Sequence, residues 1–320
     1  MEVGGEKLAR VETQNVFEGT LVMGIKIYDI ERAEYAEEKV CAEGSLRFMY
    51  ESPVGRAATS LVFKRAFFSR MCGAWADSRA SLKSAEKFAR ENGINMDESL
   101  LPFSAFKTFN DFFTRELKAS ARPVGGGAKT VSFPSDGRHL LVRNFGASDV
   151  FYAKGQRFDM AKFLGDKSLA ARFEGGDMLV SRLSPLDYHR FHYPVSGEIA
   201  ARRNVDGWLF SVSPIALSKR ISIFWENKRV LNLIDSPELG LCAFAEIGAT
   251  NVGSIVNFGK IGDRVSRGAQ AGLFRFGGSC LVSIFPPSAN LKWNPALVEK
   301  SAESVECYAH ANTACAEISQ

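Results

Sequence analysis

Gly272-Leu-Phe-Arg-Phe-Gly-Gly-Ser-Cys-Leu-Val-Ser-Ile-Phe285 sets a Gly-Gly-Ser turn inside an apolar run of strand character, late in a 320-residue chain. Glycine carries no Cβ, so Gly278 permits a tight approach of the Ser279 hydroxyl to the preceding carbonyl carbon. Attack there is an N-to-O acyl shift that breaks the backbone between Gly278 and Ser279. Elimination from the ester frees the Gly278 carboxylate and leaves dehydroalanine, which hydrolyses to a pyruvoyl group and ammonia. A Gly-Ser pair is most often an ordinary turn, so this reading depends on what accompanies it upstream.

At 46% hydrophobic and 24% charged residues, the composition is that of a globular protein with material for one large core or two smaller ones. A formal charge of +4 is too mild to argue for a nucleic-acid partner. The six cysteines form no CxxC pair and the four histidines form no zinc-spaced cluster, so no metal site is expected and the thiols read as reduced, in a cytoplasmic protein. Neither a signal peptide nor an apolar window of membrane-spanning length is visible. A membrane role therefore means lying on the surface.

The pattern predicts an α+β chain. Residues 1–45 read as a short lead with one strand-like run, Leu21 to Tyr28. In residues 46–123, apolar spacings of three and four predict helices at Leu46 to Tyr50, Ala57 to Ala76, Ser81 to Asn92 and Ser104 to Leu117. This segment carries 13 Lys and Arg against 8 Asp and Glu and is rich in aromatics. It suits an amphipathic, membrane-facing layer, and equally a helical cap with a solvated basic rim. Beyond the Gly125-Gly-Gly127 break, residues 124–290 alternate short β-type runs with turns, among them Trp208 to Val212 and Ile221 to Trp225, and predict a mostly antiparallel sandwich or barrel-like catalytic domain with one small helix at Phe158 to Leu164. Residues 291–320 read as a loose tail.

Two upstream stretches carry chemistry. Pro134-Ser-Asp-Gly137 sets Asp136 at a strand-edge turn, where it is either a plain turn residue or the carboxylate that orients a histidine. Asp187-Tyr-His-Arg-Phe-His-Tyr-Pro194 holds His189 and His192, two of only four histidines, three positions apart. Histidine suits proton transfer near neutral pH; the same spacing can hold a metal, but no third ligand stands near. Asp136, His192 and Ser279 are the residue types of a Ser-His-Asp set, yet the Gly-x-Ser-x-Gly elbow of lipase-like hydrolases is missing.

In order along residues 46–290, five blocks resemble the phosphatidylserine decarboxylase family: Phe109-Asn-Asp-Phe-Phe-Thr-Arg-Glu-Leu-Lys118 with Arg122-Pro123, Phe133-Pro-Ser-Asp-Gly-Arg138, Tyr152-Ala-Lys-Gly-Gln156 with Phe163-Leu-Gly165, Leu183-Ser-Pro-Leu-Asp-Tyr-His-Arg-Phe-His-Tyr-Pro194 and Phe274-Arg-Phe-Gly-Gly-Ser279. The resemblance implies a self-processing proenzyme cut at Gly278/Ser279 into a β chain, 1–278, and an α chain, 279–320, whose first residue becomes the covalent pyruvoyl cofactor. It implies Ser279 as the cleaved serine, Asp136 and His192 as its maturation partners, and His189 as the residue of the decarboxylation step. The implied reaction is decarboxylation of phosphatidylserine to phosphatidylethanolamine and CO2, at an anionic membrane surface on the cytoplasmic face, peripherally bound, and it leaves room for a homodimer. Three features depart from the family pattern: Cys280 where Thr or Ser is common, Gly277 where Leu or Val is frequent, and no acidic residue in Ser266 to Gly272. Alternatives are a pyruvoyl decarboxylase of another serine head-group lipid or a soluble amino acid, and an uncleaved lipid-binding pseudoenzyme.

Overall fold

The structure, a computed structural model, describes residues 25–146, 157–249, 255–277 and 279–319. Strand Ser279–Phe285 is buried at every position and lies in the interior of a ten-stranded sheet. It pairs antiparallel with Asp177–Leu183 on one side and Gly240–Ile247 on the other, with Ser279 opposite Leu183. Period-two alternation sorts its side chains between two cores. Cys280, Val282 and Ile284 join a cluster with Phe163, Ile215 and Phe224, on the face covered by helices Met160–Leu164, Pro214–Lys219 and Ile223–Glu226. Leu281 and Phe285 join the opposite cluster with Phe191, Phe274 and Trp293, which come from two three-stranded sheets. The α+β, mostly antiparallel architecture is thus as the pattern predicts; among the described strands, Ile25–Asp29 pairs parallel with Glu306–Ala309.

Two segment readings are corrected. The lead is not separate: Ile25–Asp29 and Glu34–Glu38 form one end of the ten-stranded sheet. Nor is 291–320 a loose tail, so the β-rich unit does not end at 290. Leu291–Trp293 and Ala314–Ile318 build a small sheet with Thr130–Ser132, Pro295–Ala302 is a helix, and Glu306–Ala309 lies between Ile25–Asp29 and Gly137–Val142. In its last two strands the buried apolar positions are Cys307, Ala309, Cys315 and Ala316, small side chains that give a weak hydropathy pattern yet let sheets pack closely.

Local chemistry explains the other differences. Trp208 to Val212 is not a strand, because the Asn227 side chain accepts from Phe210 N at 3.0 Å and donates to Phe210 O at 2.8 Å, taking the groups a neighbouring strand would use. Ile221 to Trp225 coils into helix Ile223–Glu226, with Glu226 N donating to Ser222 O at 2.9 Å. The predicted helix Ser104 to Leu117 is reduced to Phe109–Phe113, started by the Thr108 cap. Its aromatic face is not open to lipid: Phe106, Phe109, Phe112 and Phe113 are buried with Ala76, Ala85 and Ala89. The predicted Ala57 to Ala76 helix breaks at Arg65, whose extended backbone starts Ala66–Ala76.

Buried charges tie lead, body and tail together. Arg182, one residue before the partner of Ser279, donates to both Glu38 and Glu306, and Arg138 pairs with Glu38 and Asp187. Removing one carboxylate leaves a buried cation under-compensated. Glu306→Ala should therefore lower the urea-unfolding free energy by about 3 kcal/mol, whereas Glu303→Ala at an exposed pair should change it by less than about 1 kcal/mol.

Candidate active site

Strand Asp177–Leu183 ends opposite Ser279, and the turn that follows it leads through His189 into strand Arg190–His192. Asp187 closes this turn by accepting from Ser184 N at 2.6 Å and from Arg138. His189 Nδ1 donates to the Asp187 carbonyl at 2.9 Å, which leaves Nε2 as the acceptor. The His189 ring lies 3.9 Å, centroid to centroid, from Phe113, which in turn contacts Phe276, and the Gly277 carbonyl stands close enough to act on the ring. Helix Phe109–Phe113 is fixed to the Ser279 turn by Phe276 N donating to Asn110 Oδ1 at 2.8 Å. His189 thus reaches the residues immediately before the serine.

His192 enters from strand Arg190–His192, opposite Gln270, with its backbone N donating to Pro134 O at 2.7 Å. Its Nδ1 donates to Gly268 O at 2.9 Å, again leaving Nε2 free to accept. Asp136, in the segment beside it, does not orient this ring by a hydrogen bond. Its carboxylate instead accepts from Arg122 Nε at 2.8 Å, Arg122 Nη2 at 2.6 Å and Ala311 N at 2.9 Å. A guanidinium outcompetes a neutral imidazole for a buried carboxylate because charge-assisted pairs are stronger. Asp136 acts on His192 and His189 through its field, which favours their protonated forms. Gly137, at φ 152°, allows the turn after Asp136; a Cβ there would meet the Arg182 carbonyl at 2.5 Å.

Ser279 Oγ, His189 Nε2, His192 Nε2, Ser135 Oγ and Asn312 Oδ1 are all buried with no hydrogen-bond partner among the described residues. Unsatisfied buried polar atoms are rare, and the serine and both histidines that the sequence singles out are among them. Gly277 adopts φ 141°, which a Leu or Val would hold only under strain. Cys280 packs into the helix-side core, the face opposite the one to which alternation assigns Ser279. The cleavage expectation involves Gly278, which lies outside the described residues, as does the Tyr152-Ala-Lys-Gly-Gln156 block. Arg122, Gly268 and Asn312 were not singled out as site residues from sequence. Only Arg122 had a signal, its place in a matching block; the other two are defined by spatial contact.

Comparison with known proteins gives the family. The family model for phosphatidylserine decarboxylase matches residues 109–306. The chain is 38% identical over 270 residues to the phosphatidylserine decarboxylase proenzyme of Chlamydia muridarum, covering 84% of this chain and 89% of that protein. It is 39% identical over 262 residues to the corresponding proenzyme of Fusobacterium nucleatum, covering 81% and 87%, and 39% identical over 261 residues to that of Clostridium botulinum, covering 82% and 88%.

Burial penalises the charged imidazolium and depresses His189 and His139 to about 3, and it lowers His192 as well. In the unfolded chain the same groups take up a proton near pH 6.5. Below that pH the unfolded state binds more protons than the folded one, so stability is lost as pH falls from about 6.5 toward 3. The slope is at most about 1.4 kcal/mol per pH unit for each histidine. Urea midpoints measured between about pH 8 and pH 4 should decline through this window. His139→Asn should flatten the decline; an unchanged slope would show that His139 is not held neutral.

Proposed function

The chain belongs to the phosphatidylserine decarboxylase family, and from that premise we propose how Ser279, His192, His189 and Asp136 divide the work. The protein is a carboxy-lyase that decarboxylates phosphatidylserine to phosphatidylethanolamine and CO2, and it is made as a proenzyme. The observation that carries the assignment of roles is that the Ser279 hydroxyl and the Nε2 atoms of both histidines are each buried without a partner among the described residues. In the precursor, His192 Nε2 takes the hydroxyl proton and the Ser279 oxygen attacks the Gly278 carbonyl carbon. The bond to the Ser279 nitrogen breaks, and the nitrogen regains a proton from the imidazolium. Asp136 stabilises that imidazolium electrostatically.

A pyruvoyl group formed from Ser279 fits these residues. It would stand at the first position of a buried strand, two residues after Gly277, whose backbone acts on the His189 ring. Such a group supplies an electron sink for the pair released when CO2 departs. We assign His189 Nε2 to proton traffic with the substrate. Neutral at working pH, it accepts a proton from the entering ammonium and returns it to the carbon that has lost CO2.

A membrane surface is the proposed source of substrate. Val54, Leu61 and Phe67 are 71%, 69% and 74% exposed, and Met71 and Trp75 are also exposed, on helices that carry exposed Arg56, Arg65, Arg70, Lys83 and Lys87. Such a face suits the interface of an anionic bilayer. An open groove of about 250 Å³ lies against these helices, lined by Trp75, Lys87, Phe88, Phe109 and Phe276. Among the described residues no helix is long and apolar enough to cross a membrane. With six free thiols, this supports peripheral attachment on the cytoplasmic face.

Ser279→Ala should give one uncut chain near 35 kDa on a denaturing gel and no decarboxylation; efficient splitting of that variant would refute the assignment. His189→Ala should still split but lose about 10²-fold or more in turnover. Raising salt should release the protein from anionic vesicles, and Phe67→Ser with Trp75→Ser should weaken the binding that remains at high salt. Binding indifferent to both changes would remove these helices from the membrane contact.

A further inference from the structure

Four arginines are buried among the described residues, and three of them have their charge answered. Arg138 and Arg182 pair with carboxylates, and Arg229 donates to the carbonyl oxygens of Lys162, Phe163, Trp225 and Asn227. Arg115 is the exception. It is 7% exposed, has no carboxylate within 4.0 Å among the described residues, and makes one long hydrogen bond, NH1 to the Phe112 carbonyl at 3.5 Å. Its Nε is buried with no partner. The Phe112 ring, 5.0 Å from the guanidinium carbon, gives only a weak cation–π contact.

This cation lies beside the reaction site. Phe113 stacks on His189, and Arg190 Nε donates to the Thr114 carbonyl at 3.0 Å, so residues 113–115 are held against residues 188–190. The Arg115 charge works against protonation of His189. Asp136, the obvious counter-charge, is occupied by Arg122. An uncompensated buried guanidinium is costly to the fold, and the cost is recovered when a ligand brings an anion to it.

We propose that Arg115 is a substrate-binding residue that receives the phosphate of the phosphatidylserine head group. The inference rests on the decarboxylase reading. The head group carries two anions, and the chemistry distinguishes them. A clamp on the carboxylate would stabilise a charge that leaves as CO2, so it would favour the ground state and slow the reaction. The phosphate charge is unchanged throughout, and holding it positions the substrate without that penalty. Depression of the Arg115 pKa by burial is consistent with an unanswered charge.

The binding test uses the uncut Ser279→Ala protein, so it does not depend on turnover. Thermal midpoints are measured with dihexanoyl phosphatidylserine, with dihexanoyl phosphatidylethanolamine, which keeps the phosphate but lacks the carboxylate, and with free L-serine, which has the carboxylate alone. Both lipids should raise the midpoint, L-serine should not, and adding Arg115→Met should abolish the rise. Stabilisation by L-serine that depends on Arg115 would overturn the phosphate assignment, as would an equal rise with and without the arginine. In the processed enzyme, Arg115→Met should raise KM about tenfold or more with a smaller effect on kcat, as expected for loss of one charge-assisted contact of about 1.5–3 kcal/mol. Its midpoint without ligand should be unchanged or higher, because an unpaired buried charge has gone. A lower midpoint with normal KM would show a purely structural role. Should Arg115→Met fail to fold, Arg115→Lys, which keeps the charge but not the fork, should give an intermediate KM; a parental KM would overturn the proposal.

Discussion

The structure depends on a ladder that begins at Ser279. Strand Ser279–Phe285 is hydrogen-bonded on both sides within a ten-stranded sheet, and its pairs from Cys280 onward use no atom of the peptide bond before Ser279. A break at that bond therefore leaves those pairs in place. The strands after the break are interleaved with those before it: Glu306–Ala309 lies between Ile25–Asp29 and Gly137–Val142, and Ala314–Ile318 pairs with Thr130–Ser132. Pulling the two chains apart would expose Leu281, Val282, Phe285 and Cys307 and break the Arg182–Glu306 pair. Separation is then equivalent to unfolding, and a single backbone cut is compatible with one stable molecule.

The same burial that secures the ladder determines the electrostatics of the site. Removing water from His189 and His192 keeps both rings neutral, and carbonyl oxygens at their Nδ1 atoms leave both Nε2 lone pairs available. Asp136 is nearby but bound to Arg122, so it contributes field rather than orientation. The fold leaves the Ser279 hydroxyl, the His189 and His192 Nε2 atoms and the Arg115 Nε without partners among the described residues, whereas Arg138 and Arg182 are paired with carboxylates. Unpartnered buried groups are expected where the missing partners are reacting groups.

Much of this was legible in the residues. The Gly-Gly-Ser turn, Asp136 and the histidine pair stand in recognisable blocks, and most predicted strands formed within a few residues of their expected limits. The failures have definite causes. Trp208 to Val212 has strand composition but loses its backbone partners to the Asn227 side chain. The last two strands of the tail bury cysteine and alanine, whose small side chains give little periodic contrast. The 104–117 segment has helical spacing, but the Thr108 cap and burial of its four phenylalanines reduce it to little more than one turn turned inward.

By itself the sequence determined which residue types could do the chemistry and which segments could be strands, because both follow from side-chain identity and local period. Tertiary structure alone decided that Asp136 binds Arg122 rather than His192, that residues 306–309 of the tail lie inside the main sheet, and that Arg115 has no counter-charge among the described residues. These are competitions between groups far apart in the chain. Their outcome is set by distance and desolvation, neither of which is written in any local stretch of residues.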